Sequence, residues 1–229
     1  MIETLPDDWR TALAGRLQSL DLDVLDDFVS GERQAHDVFP SAGREFEALR
    51  LTPFESVRAV ILGQDPYPTK ELACGLAFSV PPDLPPDVRR PHSLNCILAE
   101  LRRDHFTAPM DATLEPWAAN GVLLLNTALT VRAGDAGSHR DAWAPFTNAA
   151  LTTLARRPEP PGPIVFLLWG NHAKGYVDVV GCDRAVLSPH PASRGKGGHF
   201  KDSRPFSRAN AELCRLGIDP IDWKLDPLA

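Results

Sequence analysis

The chain has 229 residues, a formal net charge of -6 and 43% hydrophobic residues. This length suits one α/β domain as easily as two small ones, and the composition is ordinary for a soluble globular protein. No apolar stretch is long enough to span a bilayer, and the N-terminus has neither the basic start nor the apolar core of a secretory signal. We therefore expect a cytoplasmic protein that does not associate with membranes.

The cysteines indicate neither a metal centre nor a disulfide framework. Cys74, Cys96, Cys182 and Cys214 are scattered along the chain, without the spacing that binds zinc or an iron–sulfur cluster. In an intracellular chain such cysteines are expected to be reduced. We expect no cofactor and no metal.

The distribution of charge is more informative than its total. A negative net charge does not by itself indicate a nucleic-acid-binding protein. However, residues 184–208 contain six basic residues and a single acid, Asp202. A basic segment of this kind is a candidate for contacts with phosphates.

Two amphipathic segments open the chain. Residues 6–18 and 20–30 carry apolar side chains at helical spacing, which predicts two helices. Residues 39–54 lead, as a helix or a loop, into the first strand. We expect residues 1–50 to form a helical cover and residues 51–229 to form the core of one domain.

Four short apolar runs predict buried strands at residues 59–62, 122–125, 164–169 and 185–187. Helical patterns lie between and after them, at residues 94–101 with Ser93 as the N-cap, and at residues 114–119, 145–155 and 206–216. This alternation predicts an α/β fold in which helices flank a central four-stranded parallel sheet.

Polar side chains follow each predicted strand. The strands end at Gln64-Asp65, at Asn126, at Gly170-Asn171 and at Ser188–His190. Ligands of parallel sheets bind at the carboxyl ends of the strands, so we expect these side chains to converge. Pro66 restricts Asp65 to extended conformations, which fixes its carboxylate at the strand end.

The side chains expected at the carboxyl edge of the sheet could support only a few kinds of chemistry. Asp65 could act as a base or electrostatic stabiliser, His190 as a donor, Asn126 as a bidentate amide and Phe78 as a stacking ring. No second carboxylate is placed for a two-carboxylate glycosidase, and no Ser or Cys lies in a nucleophile elbow. An aromatic ring and an amide favour recognition of a planar base, which must leave a duplex to be reached.

Several ordered motifs carry a resemblance to a known family. They are GQDPY at 63–67, GLAFS at 75–79, GVLLLNTALTV at 121–131, VFLLWG at 165–170, SPHP at 188–191 and IDW at 221–223. Together they resemble family 1 uracil-DNA glycosylases over most of the chain, from about Leu51 to Trp223. The scattered cysteines disfavour the iron–sulfur uracil glycosylases.

The resemblance implies a role for each matched residue. Asp65 would position water against C1′ and stabilise a cationic sugar, and His190 would donate a hydrogen bond to uracil O2. Asn126 would pair with uracil N3 and O4, and Phe78 would stack on the base. Tyr67 would exclude the methyl group of thymine, and the Gln64 backbone would help to hold the base.

The resemblance also implies partners. Uracil-containing single- and double-stranded DNA would be the substrate, and a DNA-mimicking inhibitor protein is a further candidate partner of what we expect to be a monomer. The DNA contacts implied are Ser93, Gly170, Asn171, Ser188, Ser193 and Arg194.

The sequence departs from the family pattern in two regions. Pro68 and Cys74 stand where the family commonly has histidines. The loop after His190 is shorter and lacks the leucine that fills the gap left by the flipped base. Arg194 lies at the same offset as that leucine and is a candidate wedge; the rival interpretation is that the wedge is deleted.

Two alternatives stay open at this point. One is a related glycosylase with mismatch or hypoxanthine specificity, although such relatives often have Asn in place of Asp65 and lack the Tyr67 block. The other is a catalytically idle DNA- or base-binding module. The presence of both Asp65 and His190 argues against it.

Overall fold

A sheet of almost wholly buried strands lies at the centre of the structure. A computed structural model describes residues 1–18, 22–109, 111–158, 161–193 and 199–225. The strands in chain order are β1 (Val38–Phe39), β2 (Ala59–Gly63), β3 (Val122–Asn126), β4 (Val131–Arg132), β5 (Val165–Trp169) and β6 (Ala185–Ser188).

Helices cover this sheet. In chain order they are α1 (Asp7–Leu17), α2 (Leu22–Ala35), α3 (Glu47–Leu51), α4 (His92–Arg103), α5 (Glu115–Ala119), α6 (Arg140–Ala155), α7 (Gly170–Lys174), α8 (Val177–Val180) and α9 (Pro205–Arg215). Short 3-10 turns occur at Ile2–Thr4, Phe54–Ser56 and Cys182–Arg184. Within the described ranges, none of the helices has the length and apolar character needed to cross a membrane.

The strand order confirms the predicted fold class. Four strands pair in parallel in the order β3-β2-β5-β6. Every residue of β2, β3 and β5 is buried, as expected for a parallel sheet with both faces covered. The pair formed by β1 and β4 is antiparallel and was not predicted.

This order creates one topological switch point. From β2 the chain goes to β3 on one side, and then crosses to β5 on the other side of β2. The connections that leave β2 and β5 therefore run in opposite directions and leave a crevice between the two strand ends. The register keeps the ends level, because Gly63 is opposite Asn126 and Trp169 is opposite Ser188.

The N-terminal helices belong to the same hydrophobic core as the sheet. Trp9 of α1 is fully buried, donates from Nε1 to the carbonyl of Thr52 at 3.0 Å, and packs edge-on against Phe54 at 5.2 Å. Burial of an indole stabilises such a contact by roughly 3–5 kcal/mol relative to alanine. One core cluster runs from Leu5 to Leu225, so the boundary near residue 50 remains a prediction.

A polar network fastens the chain that follows β3. Trp143 Nε1 donates to Thr130 Oγ1 at 2.7 Å, and Thr130 Oγ1 lies 2.8 Å from His139 Nδ1. His139 Nε2 lies 3.1 Å from Glu32, which also accepts two hydrogen bonds from Arg132. The Arg132 hydrogen bonds hold the pKa of Glu32 down, at about 2. This network joins α2, β4 and α6.

Two helix starts differ from prediction. Helix α6 begins at Arg140, upstream of Pro145, because buried Trp143 and Phe146 in its first turns outweigh the cost of an internal proline. Helix α4 has Pro91 as its N-cap, so Ser93 is not the cap. The Ser93 hydroxyl instead contacts the phenol of Tyr67 at 3.0 Å.

Candidate active site

A cavity of about 320 Å³ lies at the switch point between β2 and β5. We call it the switch-point cavity. Its lining comes from the end of β2, from the end of β5 with the start of α7, and from two loop rings. The lining residues are Leu62, Gly63, Gln64, Phe78, Trp169, Gly170, Asn171, His172, Ala173 and His190. The structure therefore brings Gln64, Phe78 and His190 together around one cavity.

Asp65 directly follows Gln64, which lines the cavity. One of its carboxylate oxygens accepts a hydrogen bond, and the other has no partner among the described residues. Gln64 Nε2 donates to Asp65 Oδ2 at 2.8 Å. Asp65 Oδ1 is buried and has no hydrogen-bond partner among the described residues. A buried carboxylate oxygen without a partner costs free energy, and such exceptions need an explanation such as a catalytic role.

The backbone at the end of β2 presents donors to the cavity. The Gly63 carbonyl accepts from the Thr127 amide at 3.1 Å, and the Gln64 carbonyl accepts from Thr127 Oγ1 at 2.9 Å and from the Ala128 amide at 3.0 Å. In a trans peptide the N–H points opposite to the carbonyl. The amides of Gln64 and Asp65 therefore point away from β3, toward β5 and the cavity.

The Asn126 side chain packs directly over Gly63. A Cβ atom on Gly63 would lie only 2.2 Å from Asn126 Oδ1, so this approach requires glycine. Asn126 is 4% exposed. It is not among the residues that line the cavity, but its Oδ1 lies against Gly63, which is one of them.

Tyr67, Phe78 and Ser93 form one hydrogen-bonded unit. The Tyr67 phenol donates to the Phe78 carbonyl at 3.0 Å, so the Ser93 hydroxyl is the donor in its 3.0 Å contact with Tyr67. Burial raises the pKa of Tyr67, which keeps the phenol neutral. Phe78 has a φ of 63°, a strained value for a phenylalanine. With this backbone conformation, the centroid of the Phe78 ring lies 5.5 Å from that of Trp169 and 5.9 Å from that of His190.

The loop after β6 sets the tautomer of His190. The Ala192 amide donates to His190 Nδ1 at 3.1 Å, and the Ser193 amide donates to the His190 carbonyl at 2.8 Å. His190 is partly exposed, and desolvation of the rest of its ring lowers its pKa, which favours the neutral form. With Nδ1 accepting, the neutral ring carries its proton on Nε2. His190 thus offers a neutral N–H donor to the cavity.

Sequence reasoning missed His172. Its Nε2 lies 2.8 Å from Thr127 Oγ1, whose proton goes to the Gln64 carbonyl, so His172 Nε2 is the donor. Burial lowers the pKa of His172, and Arg140 adds to this effect while Asp65 opposes it. The available signal was position, because His172 follows the predicted strand end at Asn171 directly.

The residues expected to contact DNA lie in different settings. Gly170 and Asn171 line the switch-point cavity. Ser188 is 2% exposed and lies 3.5 Å from Arg208 Nη1, whereas Ser193 lies on the loop after His190. Arg194 lies outside the described residues.

Two arginines of the basic segment hold the fold. Arg184 donates to the Ala155 carbonyl at 2.8 Å, and Arg208 donates to the Leu187 carbonyl at 3.1 Å. By contrast, Lys201 and Arg204 have exposed side chains.

Helix α4 fastens the chain that returns from the His190 loop. Glu100 is fully buried and accepts from the amides of Asp202 and Arg204 at 2.8 and 3.0 Å. Asp104 caps α9 in the same way, by accepting from the amides of Phe206 and Ser207. Both carboxylates face inward and anchor the loop on a rigid helix.

The two departures from the family pattern near Asp65 fit locally. Cys74 is buried, and burial raises the pKa of its thiol, so it acts as a small apolar residue. The Pro68 carbonyl accepts from the Gly134 amide at 3.0 Å. In the described part of the chain, no group of three His, Cys, Asp or Glu side chains could hold a metal ion.

Comparisons with known proteins agree with this geometry. The model of the uracil DNA glycosylase superfamily matches residues 50–214. The chain belongs to this superfamily. It is 43% identical to a uracil-DNA glycosylase of Enterococcus faecalis over 98% of both chains. It is also 43% identical to a uracil-DNA glycosylase of Deinococcus deserti, over 96% of this chain and 88% of the relative.

A solved structure is similar in fold. The crystal structure of mimivirus uracil-DNA glycosylase superposes with a TM-score of 0.82, at 24% identity, over 97% of this chain and 88% of that one. The superfamily assignment therefore rests on sequence, and the mimivirus structure supports the fold.

The approach of His190 to Gly170 gives a first prediction. A Cβ atom on Gly170 would lie 2.7 Å from His190 Cβ, and the φ of Gly170 is 84°. We expect Gly170→Ala to displace the His190 ring, with new imidazole resonances in NMR spectra, and to lower the free energy of unfolding by more than ~1 kcal/mol.

Gly217→Ala is the matched control. Gly217 has a φ of 74°, but a Cβ atom there would meet nothing within 4 Å. The control variant should lose stability from backbone strain alone and leave the His190 resonances in place. Unchanged His190 resonances in Gly170→Ala would contradict the proposed close packing.

Proposed function

We propose that the protein is a uracil-DNA glycosylase. It takes a uracil nucleotide out of DNA, hydrolyses the N-glycosidic bond and leaves an abasic site, which begins base excision repair. The observation that carries the proposal is the convergence of neutral donors on one cavity beside a carboxylate with a free oxygen. The relatives in the superfamily support the same activity.

Departure of uracil develops negative charge on the base. Neutral His190 would donate from Nε2 to uracil O2, and the amides of Gln64 and Asp65 point toward the same cavity. Donors fixed before the reaction stabilise such charge most effectively, because they need no reorganisation in the transition state. The hydrogen bond from Ala192 to His190 Nδ1 supports this role, since it keeps the proton on the side of the substrate.

Positive charge develops on the sugar at the same time. Asp65 is the carboxylate available to stabilise it and to hold water against C1′. Its Oδ2 accepts from Gln64 Nε2, and its Oδ1 has no hydrogen-bond partner among the described residues that would compete for its charge. The fixed carboxylate would lower the energy of the transition state by its attraction to the positive sugar, just as the fixed donors would by hydrogen bonding to the negative base.

The remaining residues give selectivity for uracil. The Asn126 amide would pair with N3 and O4, and the Phe78 ring would stack on the base. Tyr67 would block the 5-methyl group of thymine. Its phenol bonds both the Phe78 carbonyl and Ser93, so it cannot move aside without breaking two hydrogen bonds.

The two alternatives have less support. Glycosylases with mismatch or hypoxanthine specificity often lack both the carboxylate at Asp65 and the Tyr67 block. An idle binding module would have no need for an unpartnered carboxylate oxygen in the site.

Partners follow from the activity. Single- and double-stranded DNA containing uracil would be the substrates, with Gly170, Asn171 and Ser193 among the phosphate contacts. A DNA-mimicking inhibitor is also proposed, because structures of a mimivirus relative are complexes with UGI. Wedge action by Arg194, a monomeric state and a cytoplasmic location remain predictions from the sequence.

The first test concerns the chemistry. Asp65→Asn and His190→Ala should each slow single-turnover release of uracil by roughly 100-fold or more, because each removes electrostatic stabilisation. Binding of uracil-containing DNA should persist. Asp27→Asn and His36→Ala change exposed residues of the same types and should release uracil at the normal rate. Near-normal rates in either site variant would refute the assignment.

The second test concerns base selection. Tyr67→Ala should allow release of thymine, because it makes room for a methyl group. Asn126→Asp should allow release of cytosine, because the donor and acceptor pattern of the side chain is changed to match the amino group. Assays on single-stranded oligonucleotides that differ only in the target base measure both effects. If both variants act on uracil alone, other residues form the selective pocket.

A further inference from the structure

Residues 65–68 lie in the loop that follows β2, and we call this segment the aspartate loop. Among the described residues, its backbone makes a single hydrogen bond, in which the Pro68 carbonyl accepts from the Gly134 amide at 3.0 Å. Pro66 and Pro68 have no amide proton to donate. Apart from the hydrogen bonds of the Tyr67 phenol, the bond from Gly134 is therefore what ties this loop to the rest of the fold.

Gly134 belongs to the turn after β4, at residues 133–138, which we call the β4 turn. The Asp135 amide donates to the Arg132 carbonyl at 3.2 Å, and the Ser138 amide donates to the Asp135 carbonyl at 3.2 Å. Ser138 Oγ in turn accepts from the Arg132 amide at 2.9 Å. The turn is thus closed onto Arg132, and the position of Arg132 determines where the Gly134 amide lies.

The N-terminal part of the chain holds Arg132 and the start of the β4 turn. The carboxylate of Glu32, on α2, accepts from both Nε and Nη2 of Arg132, which is a bidentate pair of defined geometry. Its Oε2 also lies 3.1 Å from Nε2 of the buried His139. The Asp37 carbonyl accepts from the Ala133 amide at 2.8 Å. A continuous series of hydrogen bonds therefore runs from Glu32 to the aspartate loop.

We propose that Glu32 is a positioning residue for the reaction. Through Arg132 and the β4 turn it holds the Pro68 carbonyl, and so keeps Asp65 and Tyr67 in place for hydrolysis and base selection. A displacement of about 1 Å in an active site can cost roughly 100-fold in rate. This inference rests on the proposed function and gives α2 a part in it besides covering the sheet.

Other parts of the site are held independently of Glu32. The Gln64 carbonyl is fixed by Thr127 and Ala128, and His190 Nδ1 accepts from the Ala192 amide. Loss of the Glu32–Arg132 pair should therefore displace the aspartate loop and leave the other donors in place. Such a change lowers the rate of the chemical step and leaves substrate binding intact.

The kinetic test uses Glu32→Ala and Arg132→Ala, alone and combined, on single-stranded oligonucleotides. Each single variant should lower the maximal single-turnover rate of uracil release by roughly 3- to 30-fold, with half-saturation within about twofold of wild type. The combined variant should be no slower than the slower single variant, because both residues act through the same bonds. Release of thymine relative to uracil should rise, since Tyr67 is less firmly held.

Glu212→Ala is the matched control. Glu212 also binds an arginine through two nitrogens, those of Arg215 on α9, and Arg215 donates to the carbonyl of Asp183 just before β6. The control removes the same charge and the same kind of pair near the amino end of β6, away from the site. It should release uracil at the wild-type rate.

Amide hydrogen exchange measures the same connection without an activity assay. In Glu32→Gln, which keeps the size of the side chain, the Gly134 amide should exchange roughly 3-fold faster or more, while the Thr127 and Ala128 amides keep their protection. This variant carries the test if thermal unfolding shows that the alanine variants are not folded.

Four results would overturn the proposal. They are wild-type rates in folded Glu32→Ala, additive losses in the combined variant, an equal loss in the Glu212 control, and unchanged exchange at Gly134. The first result, with a lowered melting temperature, would make the pair a contributor to stability alone. Failure of the proposed function is distinguishable, because wild type would then release no uracil while exchange at Gly134 is still measured.

Discussion

The hydrogen bonds between the end of β2 and the chain after β3 are the constraint on which the site depends. Thr127 and Ala128 satisfy the carbonyls of Gly63 and Gln64 on the β3 side. Both peptide planes are thereby fixed, and their amides face the gap beside β5. Because β5 ends near this level and turns into α7, the gap is open to a ligand. His172 reinforces the arrangement through Thr127.

The close approaches and the strain in the site cost free energy that the core must offset. Phe78 has a left-handed backbone, and Gly63 and Gly170 leave room for Asn126 and His190 only because they lack side chains. Strained residues cost of order 1–3 kcal/mol each and persist where their surroundings fix them. The Phe78 carbonyl is held by Tyr67, and the adjacent Ala77 amide donates to Leu124 at 3.0 Å. The sheet thus supports a conformation that an isolated loop would not keep.

The strand ends could be predicted because parallel strands with both faces buried are continuous apolar runs. Asp65 and Asn126 follow such runs, and a fold rule alone predicts that they share one edge with His190. The strand before His190 was also predicted to be buried, but β6 lies at the edge of the sheet and its Leu187 is 40% exposed. Other features depend on tertiary contacts that have no local pattern. The sequence pattern predicts Ser93 as a helix cap, but its hydroxyl is hydrogen-bonded to the phenol of Tyr67.

The limits of local reasoning are clearest for α6 and for the pair of β1 and β4. The sequence predicts that this helix starts at Pro145. In the structure α6 starts at Arg140, because burial of Trp143 stabilises the additional turn. The β1–β4 pair joins segments far apart in the chain and has only two residues in each strand, too few for periodicity to reveal. The direction of the Gln64 and Asp65 amides likewise follows from the hydrogen bonds that Thr127 and Ala128 make to the Gly63 and Gln64 carbonyls. The sequence motif alone does not predict it.

The proposed mechanism requires one cavity that both recognises uracil and stabilises it as a leaving group. The most direct measurement is release of free base by the wild-type protein from matched single-stranded oligonucleotides that carry uracil, thymine, cytosine or hypoxanthine. Single strands remove the cost of opening a duplex, so the result reports on the pocket alone. A uracil-DNA glycosylase with this pocket should release uracil and no other base. Release of hypoxanthine or thymine, or no release of uracil, would contradict the proposed mechanism.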